Sequence, residues 1–195
     1  MLLDRRELLV KDRIAVLKLT DTYDLFDLAS GQPIGLARDE PPDWAKYLRL
    51  LVNKNFLPTT VNVYESESAP PVLVLHKGAS FLRSTVRVES AGRVLGSFRS
   101  KLFSLGGGFW VQDAQDQPFA EVKGDWKGWN FRFLSTSGSE LGLVTKKWAG
   151  LGRELFTSAD NYVVSLGAGT AQGSDSAALL LAAGLAIDLV FKERK

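Results

Sequence analysis

The sequence predicts a mainly β chain, a closed antiparallel barrel threaded by its own apolar C-terminal helix. Three observations carry that reading. Short segments that alternate apolar and polar residues recur along the body of the chain. Polar turns rich in Gly, Ser, Asp and Pro join them in pairs. The last long apolar stretch, Ala177 to Ile187, has no polar face. At 195 residues the chain has the length of one domain, read here as residues 1–195 with the central helix at about 175–191.

Taken in order, the first candidate strands are Leu8 to Val10, Ile14 to Leu19, Tyr23 to Leu28 and Ile34 to Ala37. Pro41 and Pro42 then precede a helical pattern, with Trp44, Tyr47, Leu48, Leu51 and Val52 at i, i+3, i+4, i+7 and i+8. The apolar stripe of that helix is expected on the outside of the sheet. Strands resume at Thr60 to Tyr64, Val72 to His76, Arg83 to Glu89 and Val94 to Lys101. Phe109 to Asp113, Phe119 to Lys123, Asn130 to Ser135, Leu141 to Lys147 and Tyr162 to Leu166 complete the set. Val86 and Val88 against Arg87 and Glu89, or Phe131 and Phe133 against Arg132, mark strands with one buried and one wet face.

A hairpin theme recurs in DLASGQPIG, VESAGRVLG, VQDAQDQPFA and FLSTSGSELG. Gly tolerates positive φ and Asp and Ser bond their own backbone, which suits each to a tight reversal. Aligned on Gly96, Ala120 and Gly142, the last three units lie 24 and 22 residues apart. Regular meander spacing accounts for this more simply than an internal duplication.

The C-terminal segment decides the architecture. Ser174 or Asp175 can cap a helix, and a helix apolar all round must be buried in protein or lipid. From Ala177 to Phe191 it would span only about 22 Å, whereas a membrane crossing takes about 20 apolar residues. Asp188 interrupts it, at roughly 2.5 to 3.5 kcal/mol near a bilayer centre. Burial in protein is therefore the better reading. Ala182, Ala183, Gly184 and Ala186 keep one part slim enough for a narrow lumen. Leu179, Leu180, Leu181, Leu185, Ile187, Val190 and Phe191 supply bulk worth about 10 to 20 kcal/mol in all.

Composition removes several functions. The chain has no cysteine, which excludes disulfides, thiol catalysis, cysteine-based zinc sites and palmitoylation. A formal charge of +2 implies no strong field for nucleic acid. Asp4 and Glu7 interrupt the N-terminus where a secretion signal needs an apolar run, so a cytoplasmic protein is expected. His76 is the sole histidine and sits in an apolar strand, read as structural or surface-tipped. Asp113, Asp116, Glu121 and Asp125 lie around a turn, where carboxylates are solvated. Gly106 to Gly108 lacks the Lys-Ser/Thr and helix of a phosphate loop. We expect no enzyme and no cofactor.

Binding has better footing. Lys123, Lys127, Lys146, Lys147 and Arg153 lie near Trp126, Trp129 and Trp148 in sequence. Basic groups hold phosphate, and tryptophan settles at the lipid–water boundary. Lys123, Lys127, Lys146, Lys147, Trp148 and Arg153 are therefore the candidate headgroup-binding residues.

KKWAGLGRELFTSADNYVVSL, residues 146–166, followed by SAALLLAAGLAIDLVFKE, residues 176–193, resembles the C-terminal third of phospholipid scramblases. The carriers are a basic-Trp pair, a Gly, Arg-Glu before Phe-Thr, Ala-Asp-Asn-aromatic, and an apolar helix ending in Ile-Asp. YDLFDLASGQPIGLA extends the likeness towards the N-terminus. With the related LURP-one-like and Tubby proteins, the resemblance implies a twelve-stranded barrel around a central helix and binding of phosphoinositides through basic surface residues. It also implies a calcium segment, but SADNYVVSLGAG retains only Asp160 and Asn161 as side-chain oxygen ligands, too few for an ion that takes six to eight oxygens. No metal is expected. The palmitoylated cysteine cluster and proline-rich region of the family are absent from this sequence. The expected partner is an anionic phospholipid surface, bound peripherally, or another protein. The alternative is a scramblase inserted through the C-terminal helix.

Overall fold

A computed structural model describes residues 1–13, 20–53, 56–79, 84–101, 108–125, 128–146 and 161–191. Where the sequence alternates, strands form: β1 Glu7–Asp12, β2 Thr22–Asp27, β3 Pro33–Asp39, β4 Thr59–Tyr64, β5 Leu73–Lys77 and β6 Thr85–Ser90. β7 Arg93–Ser100, β8 Gly108–Asp113, β9 Pro118–Asp125, β10 Asn130–Ser135, β11 Glu140–Thr145 and β12 Tyr162–Leu166 follow. Each pairs antiparallel with its chain neighbours, and β1 closes on β12 with Leu8 opposite Val164. Among the described residues this makes one closed barrel of twelve strands. The expected strand Ile14 to Leu19 lies outside the described residues.

The hairpin theme has a physical basis in the registers. In four hairpins the pairing shifts just past a small residue: Gly35 opposite Leu25, Gly96 opposite Val88, Ala120 opposite Val111 and Gly142 opposite Phe133. Each shift is a bulge, which sharpens local twist and helps a sheet curl shut. A Cβ at Gly35 or Gly96 would collide with the carbonyl oxygen of Tyr64 or Gln112 on the following strand.

The lumen is filled by α2, Asp175–Phe191. Ser174 caps it, its Oγ accepting the Ala177 N–H at 3.1 Å. Every residue from Ala177 to Asp188 is buried, packed chiefly against β12 and β7. On the slim side a Cβ at Gly184 would lie 2.6 Å from Val164 Cγ2 and 2.8 Å from Tyr162 Cε2. Phe98, Phe109, Phe131 and Phe133 close on the helix from the wall. The buried position expected of this segment is the one it occupies.

The two barrel rims differ. The lower rim carries the hairpin turns and the start of α2, where Arg93 binds Asp175 in a two-pronged pair at 2.7 and 2.8 Å. Arg6 donates to the carbonyls of Leu166, Gly167 and Thr170 there and fixes the lead into the helix. The upper rim carries Asp12, Tyr23, Asp39, Thr59 and Lys77 and receives the far end of α2, where Tyr23 donates to Asp188. Asp39 accepts from Arg49 at 2.5 Å, and Lys77 donates to the Leu57 carbonyl at 3.1 Å.

The early helix differs from expectation. α1 spans only Asp43–Leu48, and its stripe does not cover the sheet. Trp44, Tyr47, Leu48, Leu51 and Val52 are exposed, while Ala45 is the helix residue that is buried.

Candidate functional site

Cross-strand register converts scattered bases into a surface. Inward positions on β6 to β9 are apolar, so the alternate residues point outward: Arg87 on β6, Ser97 and Arg99 on β7, Trp110 on β8, and Glu121 and Lys123 on β9. Pairing aligns Thr85, Arg99, Trp110 and Glu121 in one row across four strands. Arg87, Ser97 and Gln112 form the next row towards the lower rim. Lys101, just past β7, adds a third row with Lys123, since both meet Gly108.

A groove of about 400 Å³ runs over these rows, lined by Arg87, Ser97, Arg99 and Gln112, with Asp113 and Asp116 at its lower end. That volume falls in the range of small-ligand clefts, roughly 300 to 1,000 Å³. Neither Arg87 nor Arg99 forms an ion pair among the described residues. Lys101 lies over the Trp110 ring at 3.9 Å and contacts Glu121, which Lys123 also meets at 3.2 Å. Burial alone would raise the Glu121 carboxyl, but the two lysines outweigh it and hold it below the usual range. Two lysines share one carboxylate and neither guanidinium has an ion pair among the described residues, so positive charge is concentrated at Arg87 and Arg99, with Asp113 and Asp116 at the groove's lower end. Exposed arginine forks are matched in shape and charge to phosphate oxygens.

Two further openings among the described residues are less suited to an anion. A cavity of about 10 Å³ among Asp21, Asp39, Arg49, Lys77 and Asp188 at the upper rim has room for about one water. An open groove of about 430 Å³ at the lower rim has its arginines engaged, Arg6 with carbonyls and Arg5 with Asp27 at 3.8 Å.

Of the residues singled out from sequence, Lys123 joins this face. Lys146 follows β11 at the same rim, its ammonium 4.4 Å from the Trp129 ring. Trp129 itself is buried between Phe131 and Tyr162, so it packs the wall. Lys127, Lys147, Trp148 and Arg153 lie outside the described residues, as do Trp126 and Asp160. Arg87, Arg99, Lys101 and Trp110 were not singled out from sequence, although the Val86-Arg87-Val88 alternation marks one of them.

No group of three or more His, Asp or Glu side chains among the described residues could hold a metal ion. Asn161 is buried, and Tyr162 to Leu166 beyond it form a strand laddered on both sides, with no carboxylate to offer calcium. Asp113 Oδ1 is occupied by the N–H groups of Gln115 and Gln117, both at 2.9 Å. His76 is half-exposed and bonded to Thr60 at 3.2 Å.

The family model described as Scramblase matches residues 81–194, which takes in β6 to α2 and the whole groove. No curated protein matches the chain. No solved structure matches it.

Proposed function

Because the chain belongs to the scramblase family, we propose that it is a non-enzymatic barrel that binds anionic phospholipid headgroups peripherally on its outer face. Arg87 and Arg99 contact the headgroup phosphate, and Lys101, Lys123 and Lys146 add charge around it. The observation that carries this reading is the pair of guanidiniums, neither with an ion pair among the described residues, beside the groove of about 400 Å³. Trp110, exposed under Lys101, supplies an aromatic edge suited to the lipid–water boundary.

The geometry does not favour insertion through the C-terminal helix. No helix among the described residues is long and apolar enough to cross a membrane. Drawing α2 out would expose a lumen lined by Phe98, Phe109, Phe131 and Phe133. A lumen packed with side chains also offers headgroups no polar path across about 30 Å of hydrocarbon.

Co-sedimentation with neutral and phosphoinositide-containing vesicles, at low and physiological salt, tests the proposal. Salt-sensitive binding to the anionic vesicles alone supports it. Binding to neither overturns it in favour of a protein partner. Retention in the membrane pellet after alkaline extraction would favour the inserted form.

A further inference from the structure

The segment joining β3 to β4 is built the wrong way round for water. Its charged residue Arg49 is buried, 4% exposed, and donates to Asp39 at 2.5 Å and Thr59 at 2.9 Å, the last residue of β3 and the first of β4. Ala45 and Leu57 are buried beside it. The large apolar side chains point outward instead: Trp44 is 57% exposed, Tyr47 73%, Leu50 66% and Leu51 84%, with Leu48, Val52 and Phe56 exposed alongside. A water-facing helix presents the opposite arrangement. Contiguous exposed apolar residues of this number mark an interaction surface. The ion pair to Asp39 and the hydrogen bond to Thr59 anchor the segment to both strand ends, so the outward stripe is a held geometry.

We infer that this segment, Trp44 to Val52, is a membrane-inserting finger that dips into the acyl region of an anionic bilayer. The inference rests on the headgroup-binding reading and adds the apolar half of the contact. Trp and Tyr lie beside Leu50 and Leu51, the combination that settles at a lipid interface. Its own charges are nearly balanced, since Arg49 is paired with Asp39 and Lys46 lies 3.7 Å from Asp43, so any attraction to an anionic surface comes from bases beside it. The finger projects from the upper rim, where Lys101, Lys123 and Lys146 also lie. The lower-rim turns, such as Ala91-Gly92 and Ala114 to Gln117, offer no large apolar side chain. Among the described residues the cluster of exposed large apolar side chains on this segment has no counterpart at the lower rim, where Met1 stands alone. A second copy of the chain is the weaker occupant, because a stable dimer buries about 800 Å² and some 20 to 30 residues a side, more than this patch supplies.

The chain has no cysteine, so single labels are clean. Leu51→Cys and, at the lower rim, Ser137→Cys are each labelled with an environment-sensitive fluorophore. Both are mixed with phosphatidylcholine vesicles, with or without phosphatidylserine, some carrying brominated acyl chains. The inference requires a blue shift and bromine quenching at position 51 and neither at 137. Leu50→Ser/Leu51→Ser, both side chains being exposed, keeps the native melt and loses roughly tenfold or more in vesicle partition. Vesicle binding with an aqueous label at 51 and undiminished binding of the double variant overturns the finger while headgroup binding stands. Insertion at 51 into neutral and anionic vesicles alike, unaffected by Arg87→Ala/Arg99→Ala, keeps the finger and overturns headgroup binding. No binding to any vesicle overturns both. Self-association abolished by the double variant, without quenching, assigns the patch to a second copy and overturns the finger.

Discussion

Tyr23 on β2 donates its hydroxyl proton to the Asp188 carboxylate on α2, joining the wall of the barrel to the helix inside it. Both groups are buried, and the contact forms at the rim where α2 ends. An apolar helix alone could slide or rotate in an apolar lumen. One polar contact at its far end, with the Ser174 cap and the Arg93–Asp175 pair at its start, fixes depth and rotation.

Tyr23→Phe should therefore destabilise the fold by about 1 to 3 kcal/mol, because it withdraws a donor from a buried carboxylate. Urea denaturation reads this as a lower midpoint with an unchanged slope. A neutral result would mean that Asp188 holds its position without Tyr23.

Alkaline titration follows from the same contact. Burial, and then the Asp188 charge, push the Tyr23 phenol well above 10, and Tyr162 is raised for the same reasons. A group whose folded value is raised contributes stability that is fully present below its unfolded value. That contribution declines as pH climbs past about 10. We predict that the phenolate absorbance of Tyr23 and Tyr162 appears only with cooperative alkaline unfolding, monitored in parallel by near-UV circular dichroism. Smooth ionisation of all four tyrosines in the folded state would contradict the burial.

The fit of α2 in the lumen can be tested from both sides. Gly184→Val forces side-chain atoms into Val164 and Tyr162 and should cost about 1 to 3 kcal/mol or more. Leu180→Ala leaves a void and should cost about 2 to 5 kcal/mol. A chain truncated before Ser174 has no core and should not fold. A soluble truncation that melts cooperatively would refute the packed-lumen description.

Much of this was legible in the sequence, for identifiable reasons. Strand alternation, the four hairpins and the faceless C-terminal helix are local patterns, and within the described residues they appear close to where the sequence places them. Gly184 and its alanine neighbours predicted a narrow lumen, and an added Cβ at Gly184 would collide with Val164 and Tyr162 of the wall. The candidate site was less legible because it depends on register. Arg87 and Arg99 lie on the two arms of one hairpin and become diagonal neighbours only once the register sets Arg87 against Ser97 and Thr85 against Arg99. The stripe of α1 was read with the right period, but its orientation depends on Arg49 finding Asp39, a contact that spacing alone does not reveal.

Arg49 supplies the next prediction. Arg49→Met removes one partner of a buried pair and leaves the Asp39 carboxylate uncompensated, at about 3 to 5 kcal/mol. Asp39→Leu combined with Arg49→Met should recover much of that loss, since it removes both charges together. Urea midpoints of the two single variants and the double variant give the coupling, and strict additivity would show that the pair is not one unit.

Vesicle co-sedimentation of the Arg87→Ala/Arg99→Ala variant beside the native chain tests headgroup binding most directly. Each base near an anionic surface contributes roughly 1 kcal/mol, so the double variant should bind anionic vesicles roughly tenfold to thirtyfold more weakly. Its thermal melt should be unchanged, because both side chains lie on the outer face. Native binding should fall between low and physiological salt as screening tightens. Equal binding by variant and native chain, or native binding indifferent to salt and to lipid charge, would contradict headgroup recognition on this face.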